Sequence, residues 1–293
     1  MTKVHAIQTG SVQIKCAQRE RRGEGPGILA IFADRQWTDW LPTYAWLIDH
    51  SDGLIVVDTG QGAHLLDHSR SLHPYVRWEV SFRIAPGEEI GPQLRALGVG
   101  PADVKRVVLT HLHMDHDGGL RHFPNSEIMV ASGELNMAKG WMGALRGYLP
   151  NRWPLWFDPV PLELSPTSSG PFVSERRLTA AGDVVVIATP GHTAHHLSVI
   201  VYEDDAAVFL AGDASYNQDL MLAGKVDGVS PSVAVSRRTL AAIGEFASLQ
   251  PTIYLPTHDP SAAARLAGRS LVPSLPNRGA DVILNPSSTT ERR

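Results

Sequence analysis

Ten consecutive residues, Thr110-His111-Leu112-His113-Met114-Asp115-His116-Asp117-Gly118-Gly119, place three imidazoles and a carboxylate between positions 111 and 116. That is the density of a metal site. Neutral imidazole together with carboxylate suits Zn²⁺ and other borderline divalent cations. The stretch directly follows Val107-Val108-Leu109, which reads as a strand. Side chains alternate along an extended segment, so His111 and His113 project to the same side, and Asp115 and His116 come as the chain turns. Gly118 and Gly119 remove bulk and permit the unusual dihedrals of a tight turn. The competing reading, a polar surface loop with incidental histidines, does not account for so many ligand types at this spacing.

Further along, the same pattern repeats more thinly: a Val/Ile-rich run ends and a ligand-type residue follows. Val184–Thr189 leads into Pro190-Gly191-His192, Ala206–Leu210 into Ala211-Gly212-Asp213, and Ile253-Tyr254-Leu255 into Pro256-Thr257-His258. Each alone is weak, since a lone histidine after a strand is more often structural and Asp213 could cap a helix. Strand ends converge at one edge of a sheet, however, where loops carry function. With the dense cluster they make seven donors, five His and two Asp. Seven exceeds one tetrahedral zinc and suits two metals joined by a bridging carboxylate, with a position left for hydroxide.

The elements that must hold these residues are recurrent β-type runs at Ser11–Lys15, Ile28–Phe32, Tyr44–Ile48, Leu54–Asp58, Val107–Thr110, Ile128–Ala131, Val184–Thr189, Leu197–Tyr202, Ala206–Ala211 and Ile253–Leu255. Helical patterns fall at Gln93–Leu97, Ser132–Lys139, Val233–Ser248 and Ser261–Ala267, with Pro92 and Pro231 where helix starts tolerate proline. This mixture predicts an α/β or α+β architecture with extensive sheet. Residues 1–285 read as one domain and 286–293 as a polar tail. Arg19–Gly27 reads as an irregular, exposed loop and Trp141–Gly170 as an irregular stretch, a long ordered insertion.

The 293-residue chain has 26 basic and 30 acidic side chains, a net charge of −4 without a basic block, which weighs against nucleic acid as partner. Cys16 is the sole cysteine, so an internal disulfide is excluded. No run reaches the ~18 apolar residues of a membrane helix, and the first residues lack the apolar stretch of a signal peptide. The expectation is a soluble cytoplasmic protein.

His111-x-His113-x-Asp115-His116, followed by His192, Asp213 and His258, resembles the metallo-β-lactamase superfamily. The resemblance runs from Asp58 in Val56-Val57-Asp58-Thr59-Gly60 to His258-Asp259. His192 lies 76 residues after His116, Asp213 a further 21, and His258 another 45. The resemblance implies a four-layer αββα sandwich with a binuclear site at one edge of the sheets. It implies His111, His113 and His192 on one metal, Asp115, His116 and His258 on the other, and Asp213 bridging both. Two divalent ions per chain are expected, zinc foremost, with Co, Mn or Fe compatible with the same ligands. Asp58 is expected to orient a ligand histidine or, equally, to hold the Thr59-Gly60 turn.

Asp213-Ala214-Ser215-Tyr216 is similar to the N-acyl-homoserine-lactone lactonases, the quorum-quenching enzymes, in which a tyrosine three residues after the bridging aspartate helps position the lactone. A neutral phenol can donate a hydrogen bond to a substrate oxygen; the plain alternative is a packed aromatic with a satisfied hydroxyl. The resemblance implies hydrolysis of the lactone ring by metal-bridging hydroxide, with Asp115 carrying a proton to the leaving alkoxide. Thioester hydrolases of the glyoxalase II type and phosphotriesterases share these ligands and form the alternative. A non-catalytic metal-binding scaffold ranks last. Classical β-lactamases, flavodiiron proteins and ribonuclease-type members fit less well, given the remote Cys16, the imidazole of His113 and the absent basic stripe.

One departure stands out. The family loop often reads Gly-His-Thr-Pro-Gly-His, whereas Gly191-His192-Thr193-Ala194-His195-His196 lacks Pro-Gly, which puts the shape of this turn in question. His196 could support a ligand, and His195 reads as exposed. His5, His50, His64, His68, His73 and His122 read as structural or surface. Trp141, Trp153, Trp156 and Phe157 read as core or interface ahead of an acyl pocket, and Trp37 and Trp40 could serve a homodimer contact.

Overall fold

Alternating apolar residues build two sheets that share one buried layer. The computed structural model describes residues 2–66, 78–140, 142–167 and 170–273; His68, His73, Trp141 and the 286–293 tail lie outside them. The first sheet comprises β1 (Lys3–Ile14), β2 (Leu41–Asp49), β3 (Leu54–Val57), β4 (Val80–Arg83), β5 (Val104–Val108), β6 (Glu127–Ala131) and β7 (Val160–Leu162), in the order β4-β1-β2-β3-β5-β6-β7. The second comprises β8 (Ser165–Pro166), β9 (Ser174–Arg177), β10 (Val184–Ala188), β11 (Leu197–Tyr202), β12 (Ala207–Gly212) and β13 (Thr252–Pro256), in the order β13-β12-β11-β10-β9-β8. β3, β5, β6 and β7 run parallel, as do β12 and β13. The helices that matter here are α1 (Gly27–Ala33), α2 (Ile90–Ala96), α3 (Met114–Asp117), α4 (Ser132–Lys139), α5 (Val233–Leu249) and α6 (Ala262–Ala267).

Trp46, Ile48, Val57 and Val108 of the first sheet meet Val186, Val199, Val208 and Leu255 of the second between the sheets. Their neighbours along each strand face the other way. Leu47, Val56, Val107 and Val130 pack on Ile90 and Leu94 of α2 and Ala138 of α4. Val185, Ile187, Phe209 and Tyr254 pack on Leu240, Ile243 and Phe246 of α5. Strands buried on both faces explain the near-continuous apolar runs in the sequence. The layers are therefore helix, sheet, sheet, helix, the αββα arrangement that the resemblance implied.

The helical expectations hold with shifts of a few residues: α2 carries Pro92 in its first turn, and Ser232 caps α5 by accepting from Val235 N–H. Two readings need correction. Ile28–Phe32 is helical, inside α1, not a strand. Pro26 precedes the helix, and only Ile31 of the run's large residues is buried, while Ile28, Leu29 and Phe32 face outward. A short apolar run cannot be assigned by periodicity alone. The 141–170 stretch is not wholly irregular either, because Val160–Leu162 extends the first sheet beside β6. Trp153 and Phe157 pack edge to face at 4.9 Å against the α2–α4 layer, so they belong to packing. No helix among the described residues is long and apolar enough to cross a membrane.

Candidate metal centre

β3, β5, β10, β12 and β13 each end just before a candidate donor or its support, and hydrogen bonds stitch these ends together. Asp58 N–H donates to Val108 O, Leu197 N–H to Thr110 O, Thr257 N–H to Gly212 O, and Tyr44 N–H to Thr257 O, all at 2.9–3.0 Å. The second and fourth of these bonds join one sheet to the other. Gly212 sits at φ +54, and a Cβ there would stand 2.7 Å from His196 Nε2, so both conformation and space demand glycine. Gly118 and Gly119 are different. Both have negative φ (−64° and −90°), so the tight-turn dihedral argument is corrected. What they supply is room: a Cβ would lie 2.6 Å from Met114 O or 2.3 Å from Thr59 O.

Each of the five histidines has its outward nitrogen facing an oxygen. His116 Nδ1 lies 2.9 Å from Asp58 Oδ2, His192 Nδ1 3.1 Å from Asp227 Oδ2, and His258 Nδ1 2.9 Å from Pro42 O. His113 Nε2 lies 2.9 Å from Arg146 O. His111 Nδ1 lies 3.0 Å from Thr110 Oγ1, whose own proton goes to Asp58 Oδ2. These acceptors assign the N–H to the outward nitrogen in every ring and leave the inward nitrogen a lone pair, the arrangement a metal-binding imidazole requires. Asp58 also accepts from Thr110 N–H at 2.8 Å and adopts φ +58, while Thr59 clasps the His116 carbonyl. Of the two expected roles of Asp58, its described side-chain contacts carry the first, orienting a histidine, and none of them reaches Thr59 or Gly60.

The inward atoms converge. His113 Nδ1 stands 3.1 Å from both His111 Nε2 and His192 Nε2. Tetrahedral ligands about 2.0–2.1 Å from zinc would be roughly 3.4 Å apart, so this triad fits a cation. A second group joins Asp115, His116 and His258, with His258 Nε2 at 3.4 Å from Asp115 Oδ2. Asp213 lies between the groups: Oδ1 is 3.4 Å from His116 Nε2, and Oδ2 is 3.4 Å from His258 Nε2 and 3.5 Å from His192 Nε2. His116 Nε2 and Asp213 Oδ1 are buried without a hydrogen-bond partner among the described residues. All seven candidate donors thus come together, and the donor set fits divalent cations.

Charge supports the same fit. Burial, then the neighbouring imidazoles, drive the His111 pKa well below 6.5 and that of His113 to about 3. Burial also opposes charge on His116, His192 and His258, but the carboxylates around them outweigh it and raise all three; Asp213 leads for His116 and His258, Asp227 for His192. Asp213 is pushed up by burial yet held well below its usual range by His258, His116 and His192. The pocket calls for positive charge at its centre, for which protons and metal ions compete.

Residues 38–258 match the family described as the metallo-beta-lactamase superfamily. The chain belongs to that superfamily. It is 33% identical over 189 residues to a probable metallo-hydrolase of Mycobacterium bovis, covering 62% of this chain and 58% of that protein. It is 27% identical over 268 residues to the N-acyl homoserine lactonase AttM of Rhizobium radiobacter, covering 89% and 95%. Among solved structures, an N-acyl homoserine lactone hydrolase with N-hexanoyl-L-homoserine bound at its catalytic metal centre superposes with a TM-score of 0.72 at 20% identity, over 88% of this chain and 94% of that one. This last likeness carries the superfamily fold.

Within this superfamily frame, the altered loop after His192 still closes: Thr189 N–H donates to His196 O and Gly191 N–H to Thr193 O. His195 is exposed. His196 is buried, and its Nε2 accepts from Asp213 N–H at 3.0 Å, fixing the backbone of that aspartate. Tyr216 is buried, its ring stacked on His258 at 5.4 Å. Gln18 Nε2 donates to its hydroxyl at 3.4 Å, which leaves the phenol proton available. Burial, Asp213 and Asp227 raise the Tyr216 pKa well above 10, so the phenol stays protonated.

A cavity lined by Asp115, Tyr216, His192 and His258 opens above the donors. It shares His113, Arg146, His192 and Val229 with a larger cleft of about 570 Å³, walled by Ile28, Phe32, Trp78, Met137, Met142 and Leu145. That volume is typical of a small-molecule site. Sequence reasoning passed over Gln18, Asp227, Glu134 and the cleft wall. Asp227 carried a faint signal, an Asp-Gly turn whose carboxylate also accepts from Val229 and Ser230 N–H. The others carried none.

Proposed function

We propose that this chain is a metal-dependent hydrolase that opens the ring ester of N-acyl homoserine lactones or closely related acylated lactones. The reading rests chiefly on one observation: the cavity over the donors continues into an apolar cleft, so an ester with an aliphatic chain fits with its polar end at the histidines. Relatives named N-acyl homoserine lactonase, matched over 89% of this chain, support the same class. So does the structural neighbour that holds a ring-opened product at its metal centre.

His111, His113 and His192 would hold one ion, Asp115, His116 and His258 a second, with Asp213 between them. Divalent cations there supply Lewis acidity and lower the pKa of water toward neutrality. The chain's own groups do the rest. Asp58, Asp227 and the carbonyls of Pro42 and Arg146 keep the rings from turning. Tyr216 would donate a hydrogen bond through its free O–H to the lactone carbonyl or ring oxygen, keeping its proton and steadying charge as it develops. Asp115 and Asp213 both line the cavity, and Asp115, the more exposed at 14% against 4%, would take a proton from the attacking water and pass it to the departing ring oxygen. The cleft takes the acyl chain.

A pH-indicator assay across acyl lactones, thioesters, phosphotriesters and β-lactams, with and without chelator, tests the reading. Acid release from acyl lactones that stops on chelation is the expected result. Turnover confined to the other classes would overturn it.

A further inference from the structure

We propose that Glu134 is a positioning residue for the His111/His113/His192 triad, holding together the loops on which those three rings depend. The inference rests on the two-ion reading above and concerns a group that is not itself a donor. Glu134 is the third residue of α4, which begins directly after β6, and β6 runs parallel to β5, the strand that delivers His111. Its position in the first turn lets the helix dipole favour a negative charge. The side chain has no exposed surface.

Three hydrogen bonds account for that burial, and each ends beside the triad. Oε1 accepts from Leu112 N–H at 3.3 Å and from Tyr148 OH at 2.8 Å; Oε2 accepts from Thr193 Oγ1 at 2.8 Å. Leu112 lies between His111 and His113, so its N–H fixes the peptide plane that sends both rings to one side. The Tyr148 ring lies 5.1 Å from that of His113, and two residues earlier Arg146 O faces His113 Nε2. Thr193 follows His192. One carboxylate therefore reaches the segment bearing two rings, the segment bearing the third, and the turn that braces His113.

Packing alone would be served by an apolar side chain, which escapes the desolvation of a carboxylate but leaves Leu112 N–H, Tyr148 OH and Thr193 OH without this acceptor. The arrangement is also one-sided. None of the hydrogen bonds described for Glu134 reaches Asp115, His116 or His258, and the outward nitrogens of His116 and His258 face Asp58 and Pro42 instead. Loss of Glu134 should therefore disturb one ion and spare the other.

The test is a Co²⁺ titration of chelator-stripped protein, followed by visible absorption, on wild type, Glu134→Ala, Glu134→Gln and Tyr148→Phe. Wild type is expected to take two equivalents. In Glu134→Ala one equivalent should bind about 10–100-fold more weakly, the usual effect of removing a partner behind the ligands, with an altered spectrum, while the other keeps its affinity. Glu134→Gln retains an acceptor for Leu112 and Tyr148 and should restore most of the loss. Tyr148→Phe should give a smaller shift of the same equivalent, and it carries the test if circular dichroism shows Glu134→Ala unfolded. Two unchanged equivalents, or two equally weakened, would overturn the role of Glu134 while leaving the two-ion reading intact. A wild type that binds no cobalt would remove both.

Discussion

The donor edge and the neighbouring cleft lie side by side and are built differently. At the edge, His111, His116, His192 and His258 are buried, with their outward nitrogens against hydroxyl, carboxylate or carbonyl oxygen, and the chain reaches them from strand ends. In the cleft, Ile28, Phe32, Leu145 and Trp78 are 38–64% exposed and come from a seven-residue helix and connecting segments. Rigid scaffolding favours chemistry that tolerates little displacement, whereas an exposed apolar wall can change residue by residue. The edge should govern whether the reaction runs and the cleft which ester is brought to it.

The sharpest way to break this division is Asp213→Asn. Removing the charge between the two groups should lower metal content and cut lactone turnover more than about 100-fold, beyond the effect typical of outer partners. Unaltered stoichiometry by elemental analysis would contradict a bridging role. Next comes Tyr216→Phe, which should reduce turnover about 10–100-fold, less than or equal to the loss of an oxyanion donor, without changing metal content. An equal rate would return Tyr216 to packing.

Acidification separates the regions in another way. The proton affinities of His116, His192 and His258 are raised above 6.5, so protons displace ions as pH falls through those raised values, and affinity recovers as pH rises. Metal retained after dialysis across a falling pH series should drop accordingly, and retention independent of pH would refute the competition. The smallest effect belongs to the cleft. Ile28→Ser should raise KM for long-chain lactones about fivefold, from about 1 kcal/mol of lost apolar contact, and leave kcat and short-chain KM nearly unchanged. A kcat loss of similar size would show that the cleft and the edge are not separable.

Much of the edge was legible in the sequence because its donors are dense in one segment and otherwise follow strand-like runs. The strands were legible for the same reason that they are buried on both faces. What supports the donors was not. Asp227 acts on a ring 35 positions away, Arg146 on one 33 away, and Pro42 on one 216 away, each through contacts that only the fold creates. Gly118 and Gly119 were noticed for the right place and partly the wrong cause, since close approach and not dihedral freedom explains them. Ile28–Phe32 misled because an apolar run lining a cleft resembles one entering a core.

The bond between His258 and Pro42 also bears on the life of the chain during synthesis. Until the ribosome has delivered position 258, the last donor is missing and the early strand that should brace it waits without its partner. On the two-ion reading, a half-made or truncated polypeptide would offer loose histidines to passing metal but not the gathered set, and catalytic competence would arrive late, as a certificate that nearly everything before it has folded.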